Sequence, residues 1–255
     1  MKKSVLMLAA ALPMMFAACG TEDPEEGFNL ETTTLEINFE DNANIETNVK
    51  GCTFVSDNEF IASVDKDGKV TANHVGEAKI TVAYEGESAV CKVTVKPTMT
   101  VYTMPVIDWK LNLTQVEDLV KADFPNLVKN DEVSSADALA YTTKGTFPIY
   151  AYAFNNNALA ASTLMISTEM DDKDSLGEWL EQYYAYYNDT EMGMLYGNAK
   201  SIDDATVLVE FEGGMDDCMA TWTANEPTKT VRGGMIIDRT HIEKSREIAR
   251  KTAGK

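Results

Sequence analysis

Short alternating segments, separated by polar turns, run from Phe28 to Pro97 and constrain the fold more than any other feature of the chain. Apolar and polar residues alternate in Thr34–Phe39, Lys69–Ala72 and Ala78–Tyr84, which is the period of a half-buried strand rather than of a helix. Asp65–Gly68 separates two such strands as a hairpin turn, with glycine where a positive φ is needed. The pattern predicts a small β-sandwich.

Six segments of residues 28–97 resemble, in order, the group 2 bacterial immunoglobulin-like domain. They are Ser56-Asp57, Ile61–Asp65, Gly68–Ala72, Gly76, Ala78–Val82 and Cys91–Val95. Phe54 stands where this family usually has tryptophan, and its ring can fill the same core position. The resemblance implies an immunoglobulin-like sandwich that acts as a spacer or adhesion module and supplies no catalytic residues.

Residues 1–19 read as a secretory signal, with Lys2 and Lys3 before the apolar run Val5–Phe16. The sequence Ala17-Ala18-Cys19-Gly20 resembles the lipobox of bacterial lipoproteins, which implies acylation of Cys19 and attachment to a membrane. The acidic tether at residues 20–27 is similar to that of Bacteroidetes lipoproteins, with Gly20 fitting outer-membrane sorting. We therefore expect an outer-membrane lipoprotein that is exposed at the cell surface or, alternatively, faces the periplasm.

Charge excludes one class of partner. The chain carries 41 acidic and 22 basic side chains, for a net charge of −19 at pH 7. The basic residues concentrate in residues 229–255, which leaves the preceding part of the chain still more acidic. Binding to nucleic acid depends on clustered lysine and arginine, so we expect no nucleic-acid partner.

The rest of the chain has a different organisation. Residues 98–107 read as a linker, and residues 108–228 as an α+β domain with two helices on one face of an antiparallel sheet. Capping boxes at Thr114–Glu117 and Ser175–Glu178 predict the helix starts. The second helix carries Trp179, Leu180, Tyr183, Tyr184 and Tyr187 at helical spacing. The order of helix and three strands occurs twice, which favours an αβββ duplication. Residues 229–255 form a basic tail, either solvated or helical over 238–250.

Three cysteines remain beside Cys19. Alternation places Cys52 and Cys91 inside the sandwich, where they form either a disulfide or two buried free thiols. Cys218 lies among acidic residues that raise a thiol pKa, so we expect no catalytic role for it.

Few residues suggest chemistry. His74 and His241 are the only histidines, and neither belongs to a compact catalytic set, so we expect structural roles. Tyr186 and Trp222 are candidates for stacking on a glycan, with core packing as the alternative for the aromatic residues of the C-terminal domain. Asp174-Ser175-Leu176 resembles the short O-glycosylation acceptor of Bacteroidetes, with Ser175 serving alternatively as an N-cap. We expect no metal site and no cofactor.

These observations favour a non-enzymatic, lipid-anchored envelope protein whose immunoglobulin-like spacer presents a binding or adhesion domain to a protein or glycan ligand. One alternative is a glycan-binding protein, or a small hydrolase using paired carboxylates such as Glu169 with Asp171 or Asp216 with Asp217. Another is a structural assembly subunit with an exposed sheet edge.

Overall fold

A computed structural model describes residues 27–144, 146–168, 173–190, 193–225, 230–231, 234–235 and 239–254. The predicted signal at 1–19 and nearly all of the tether lie outside these ranges. The described chain is mostly β-sheet, with a two-sheet N-terminal unit (residues 27–97), a C-terminal unit built on one large sheet, and three helices. None of these three helices is both long and apolar enough to cross a bilayer.

The N-terminal unit is a sandwich, as predicted. Its larger sheet has the order β1-β7-β6-β3, where β1 is Thr34–Asn38, β7 is Glu87–Lys96, β6 is Gly76–Tyr84 and β3 is Thr53–Ser56. Its smaller sheet has the order β2-β5-β4, with β2 at Asn42–Asn44, β5 at Lys69–Ala72 and β4 at Ala62–Val64. All neighbours are antiparallel except β1 and β7, which are parallel.

Alternation along these strands builds the core between the two sheets. Ile80 and Val82 of β6, Val93 and Val95 of β7 and Val70 of β5 are nearly inaccessible to solvent. The residues between them on β6 are charged or hydroxylated and face outward. The period of two seen in the sequence therefore corresponds directly to the buried and exposed faces.

The C-terminal unit contains an eight-stranded antiparallel sheet of order β12-β13-β14-β15-β11-β10-β9-β8. The strands are β8 Val128–Lys129, β9 Ala138–Thr143, β10 Thr146–Asn155, β11 Ala158–Ser167, β12 Ala185–Thr190, β13 Gly193–Gly197, β14 Val207–Gly213 and β15 Asp217–Ala224. Strands β16 (Thr230–Val231) and β17 (Gly234–Met235) form a separate small pair. Two four-stranded meanders thus meet where β11 pairs with β15.

Helices α1 (Leu113–Asp123) and α2 (Lys173–Glu181) pack on one face of this sheet, and α3 (Arg239–Thr252) packs on the other. The prediction of two helices on one face therefore leaves out a third helix on the opposite face. Residues 239–252 form this packed helix and are not a solvated tail. Each of α1 and α2 precedes four strands instead of three. A duplication of sequence remains a prediction.

Both predicted helix starts are shifted. The capping box of α1 is formed by Asn112 and Gln115, whose backbone and side chains exchange hydrogen bonds of 3.0 Å. Ser175 is the third residue of α2 and not its N-cap.

The aromatic stripe also ends early, because α2 stops at Glu181 and Tyr187 belongs to β12. The spacing of the tyrosines fits a helix, but tyrosine also has a high propensity for strands. Residues from Ala185 onward are a strand because they pair with β13.

The predicted linker is a packed strap, which we define as residues 98–111. Met99, Tyr102 and Met104 lie against the same core as α1 and α2. The Ser162 hydroxyl donates a 2.6 Å hydrogen bond to the Val106 carbonyl, which fixes the strap to β11. The strap therefore belongs to the C-terminal unit, because its apolar side chains complete that unit's core.

Candidate functional site

The structure separates the two cysteines proposed to form a disulfide. Cys52 precedes Thr53, which pairs with Ala83 of β6, whereas Cys91 pairs with Ile80 on the other side of β6. They are two strand spacings of about 4.8 Å apart across the sheet, and about 13 Å, the rise of four residues, apart along the strand direction. A disulfide requires Cα atoms within about 7 Å. Both are buried free thiols, so the disulfide alternative is wrong.

Burial also removes one candidate for glycan stacking. Trp222 is fully buried, and its indole N–H donates a 3.0 Å hydrogen bond to the Tyr184 hydroxyl. The Trp179 ring packs edge-on against Trp222 at 6.3 Å between ring centroids. Trp222 is therefore a core residue, and the interpretation of it as a glycan platform is wrong. Tyr186 is 47% exposed on edge strand β12, with its hydroxyl bonded to Asp189.

The remaining predicted residues do not converge on one site. Cys19 and the pair Glu169 and Asp171 lie outside the described residues. Ser175 is half-buried within α2, and Cys218 is buried in the main core. Asp216 is exposed in the turn between β14 and β15. Asp217 is half-buried at the start of β15, and the hydrolase pair of Asp216 and Asp217 stays a prediction.

The acidic turn at Asp65–Gly68 is a hairpin, as its sequence predicts. The Asp65 carboxylate accepts backbone N–H bonds from Asp67 at 2.9 Å and Lys69 at 3.0 Å. These bonds lower the pKa of the Asp65 carboxyl group. Gly68 has a φ of 81°, and a Cβ there would lie 2.9 Å from the Phe54 ring. Among the described residues no cluster of three His, Cys, Asp or Glu side chains is arranged to hold a metal ion.

A buried ionic cluster under α3 was missed by the sequence analysis. Arg246 is 1% exposed and Glu210 of β14 is 2% exposed, with 3.6 Å between guanidinium Nη2 and carboxylate Oε2. Arg246 also pairs with Glu212 at 3.2 Å and donates through Nε to the Thr221 hydroxyl at 3.1 Å. Burial lowers the pKa of the Arg246 guanidinium, whereas Glu212 and Glu210 raise it.

Two more arginines extend this cluster along one side of α3. Arg239 lies 3.5 Å from Glu210, and Arg250 lies 3.2 Å from Glu212. The signal that could have revealed the cluster is Glu210 itself, an acidic residue between the apolar residues Val209 and Phe211 of β14. A carboxylate in that position needs a cationic partner from another element. The cluster consequently holds α3 on the sheet.

Gln182 forms the junction between the two units. It is 2% exposed, and its side-chain oxygen accepts hydrogen bonds from the Thr98 and Met99 N–H groups at 2.7 and 3.0 Å. Its backbone carbonyl accepts a 2.6 Å bond from the Val75 N–H, in the turn before β6. One buried residue thus binds the exit of β7 through its side chain and a loop of the sandwich through its backbone carbonyl.

An open cleft of about 590 Å³ lies beside this junction. Phe39, Glu40, Glu59, Phe60, Asn73 and His74 from the sandwich line it, with Lys200 from the C-terminal unit. Lys200 forms a 2.6 Å ion pair with Glu59 across the boundary. Domain boundaries are common locations of ligand sites, so this cleft is the best candidate site in the described chain.

His74 has a defined protonation pattern in this cleft. Its ring stacks on Phe60 at 3.8 Å between centroids, and Nδ1 lies 2.7 Å from the Phe60 carbonyl oxygen. A carbonyl oxygen only accepts, so Nδ1 carries the proton. Burial lowers the pKa of His74, although this hydrogen bond opposes the shift. The ring is therefore neutral near pH 7 and leaves Nε2 as an acceptor.

Comparison with known proteins identifies the N-terminal unit. Residues 31–95 match the family model for the bacterial Ig-like domain (group 2), which covers a minority of the chain. No curated protein matches the chain.

Two solved structures of the surface layer protein SbsC are similar to the chain. The structure of domains 4–9 is 13% identical with a TM-score of 0.24, over 80% of this chain and 27% of that one. The structure of domains 5–6 is 12% identical with the same TM-score, over 80% of this chain and 86% of that one. Similarity at this level does not define a shared overall fold.

Proposed function

We propose that this protein is a non-enzymatic, lipid-anchored component of the cell envelope, in which the N-terminal unit carries a C-terminal binding domain. The match of residues 31–95 to the bacterial Ig-like domain supports this most directly, together with the sandwich that these residues form. The resemblance implies a spacer or adhesion module. The anchor is inferred from the lipobox at Cys19 and the acidic tether that follows.

Metabolic labelling tests the anchor. The full chain is expressed in a bacterium with an outer membrane and supplied with an alkyne-tagged fatty acid, beside a Cys19→Ser variant. We expect the parent protein to carry the tag and to be found in the membrane fraction. The Cys19→Ser variant should be untagged and absent from that fraction. An unlabelled parent protein in the soluble periplasmic fraction would remove the anchor from the proposal. Protease added to intact cells then distinguishes surface exposure from a periplasm-facing anchor.

A binding experiment tests whether the chain binds an envelope ligand. The purified chain beginning at Gly20 is applied to immobilised outer-membrane proteins and, separately, to purified capsular polysaccharide and peptidoglycan. Saturable binding in one arm supports the proposal and identifies the ligand class. If binding is absent from every arm while purified envelope fractions are enzymatically altered by the chain, the non-enzymatic assignment is wrong.

Binding of an envelope glycan is the second candidate, and the cleft beside His74 favours it. The partly exposed Phe39 ring, the Nε2 acceptor of His74 and the Glu40 carboxylate offer the mixed apolar and polar contacts that sugars need. His74→Ala should weaken binding to purified capsular polysaccharide, whereas Lys66→Ala, in an exposed turn, should not. Equal affinities for both variants would exclude the cleft.

A further inference from the structure

The cleft beside His74 carries an unbalanced set of charges. Its ionisable side chains are those of Glu40, Glu59, Lys200 and His74. Two carboxylates against one ammonium leave the cleft with a net negative charge when the His74 ring is neutral. We infer that the cleft selects an amino sugar, in which a protonated amine accompanies the hydroxyl groups. This inference rests on glycan binding, the second candidate function proposed above, and names the chemical class of the sugar.

An ammonium group already lies in this cleft. Lys200 reaches into it from the C-terminal unit and places its Nζ 2.6 Å from the Glu59 carboxylate. The hydrogen bond and the charge of Lys200 lower the pKa of the Glu59 carboxyl group. The two side chains are 62% and 63% exposed, and such exposed pairs are weak. This side of the cleft therefore binds a primary ammonium that a ligand amine can replace or join.

A second carboxylate lies on the other side of the cleft. The Glu40 N–H donates to the Ala72 carbonyl at 3.0 Å, and the Asn73 side chain donates to the Glu59 carbonyl at 2.9 Å. Because Ala72 and Asn73 are consecutive residues at the end of β5, Glu40 and Glu59 flank that end. Among the residues that the structure describes, no cation pairs with the Glu40 carboxylate. This carboxylate is available to an amine of the ligand.

Aromatic side chains lie next to both carboxylates. Phe39 directly precedes Glu40 and is partly exposed, and Phe60 directly follows Glu59. Aromatic faces attract cations and also pack against the apolar faces of ligands. The lining thus offers contacts to the two parts of an amino sugar, its ring and its charged amine.

The same lining disfavours two other ligands. An acidic polysaccharide would bring like charges to Glu40 and Glu59, and the net charge of −19 on the chain adds to this repulsion. A peptide backbone brings a carbonyl acceptor with each N–H donor. The donors of the cleft are already used, because Lys200 pairs with Glu59, and the Asn73 amide donates to Glu59 and Ser63. An ammonium group brings three donors and no acceptor.

Calorimetric titration with two matched sugars tests the selection. The chain beginning at Gly20 is titrated with a glucosamine tetramer and with an N-acetylglucosamine tetramer, which has the same backbone without the charge. The buffer is at about pH 6.5, where such amines, like α-amino groups, carry a proton. We expect the glucosamine tetramer to bind about tenfold more tightly or more, because its amines form charge-assisted hydrogen bonds. Equal affinities would overturn the inference and leave glycan binding intact.

Variants then assign the selection to the cleft. Glu40→Gln should weaken binding of the glucosamine tetramer about fivefold and leave the acetylated tetramer unchanged. Glu77→Gln makes the same change of charge on the exposed face of β6 and is the matched control. A merely structural role of Glu40 would weaken both sugars alike. Equal affinities of the two variants for the glucosamine tetramer would exclude Glu40 as the contact and overturn the inference.

A third ligand separates the sugar from a basic peptide. N-acetylated tetralysine carries the same number of amines on a peptide backbone, and we expect it to bind more weakly than the glucosamine tetramer. Binding that is as tight or tighter would overturn the amino sugar in favour of a basic peptide. If neither sugar binds, the glycan candidate fails together with the inference, whereas the anchor is tested separately by labelling of Cys19.

Discussion

Arg246 shows how a single residue can hold an element in place. Its guanidinium is buried together with the Glu210 carboxylate, and taking two charges out of water is favourable only when they stay close together. Arg239 and Arg250, on either side of Arg246 along α3, are partly exposed. Arg239 pairs with Glu210, and Arg250 pairs with Glu212. We therefore expect the cluster to contribute more to the position of α3 on the sheet than to net stability.

Removing one partner of the buried pair should be costly. We expect Arg246→Met to lower the free energy of unfolding by about 3–5 kcal/mol, because the buried Glu210 carboxylate loses its buried cation and keeps only the partly exposed Arg239. Lys251→Met, which removes an exposed pair with Glu247 on the same helix, should cost less than about 1 kcal/mol. Urea unfolding of both variants measures the difference, and similar midpoints would contradict this account of the cluster.

The neutral ring of His74 should make stability depend on pH. Its folded pKa is lowered by burial, so its contribution is present above the unfolded pKa of about 6.5 and is lost as pH falls below that value. We expect the unfolding midpoint to decrease from about pH 7.5 to about pH 5.5, with a smaller decrease in His74→Gln. His241 is present in both proteins, so any contribution from it cancels when the two are compared. Identical slopes for the two proteins would show that His74 is not responsible.

At the scale of elements, α3 depends on small residues beneath it. Ala138, Ala140 and Ala151 lie on the face of β9 and β10 that the helix covers, and each is at most 2% exposed. Small side chains allow the helix backbone to approach the sheet closely. Thr163 of β11 bonds Thr221 at 3.0 Å and also contacts Ser245 of α3, so the polar part of this face is paired as well.

Enlarging one of these alanines should displace the helix. Ala140→Leu is expected to destabilise the protein by about 1–3 kcal/mol through overpacking. Ala136→Leu, at an exposed position two residues before the start of β9, is the control and should change stability by less than about 0.5 kcal/mol. Thermal unfolding distinguishes them, and an unaffected Ala140→Leu would mean that α3 is not closely packed there.

At the scale of the whole molecule, the two units are joined by more than the chain itself. Gln182 holds the exit of β7 and the turn at Val75, and the ion pair of Lys200 with Glu59 adds a second contact. The sequence predicted a linker between the two units, whereas the structure joins them through direct contacts at a junction. A fixed junction keeps the cleft beside His74 in one shape, and preorganised sites lose less entropy on binding.

Loss of the Gln182 side chain should loosen this junction. In Gln182→Ala the N–H groups of Thr98 and Met99 lose their acceptor, whereas the bond from the Val75 N–H to the backbone carbonyl at position 182 is kept. We expect a cost of about 1 kcal/mol, because Thr98 is exposed and Met99 is half-buried. Spin labels on the two units should give a broader distance distribution, with Glu181→Ala, an exposed neighbour, unchanged. A narrow distribution in Gln182→Ala would show that other contacts fix the units.

Sequence patterns correctly predicted those structural features that depend on residues close together along the chain. Strict alternation placed Ile80 and Val93 inside the sandwich, and the turn at Asp65–Gly68 followed from its own composition. The tyrosine-rich segment after Glu181 was misread because its spacing suits a helix and its residues suit a strand. Apolar residues in the strap were misread because the strap is fixed to β10 and β11, which lie more than forty residues away along the chain.

The sequence by itself determined a small β-sandwich and which faces of its strands are buried, because both follow from a period of two and from turn residues. That this sandwich is immunoglobulin-like was implied by the resemblance of its six segments to that family. Tertiary structure alone decided that Cys52 and Cys91 stay apart, that α3 covers the second face, and that Gln182 binds the two units together. Each of these depends on strand register or on contacts between distant segments. Such relations leave no periodic trace in the sequence, since they arise only when the elements pack.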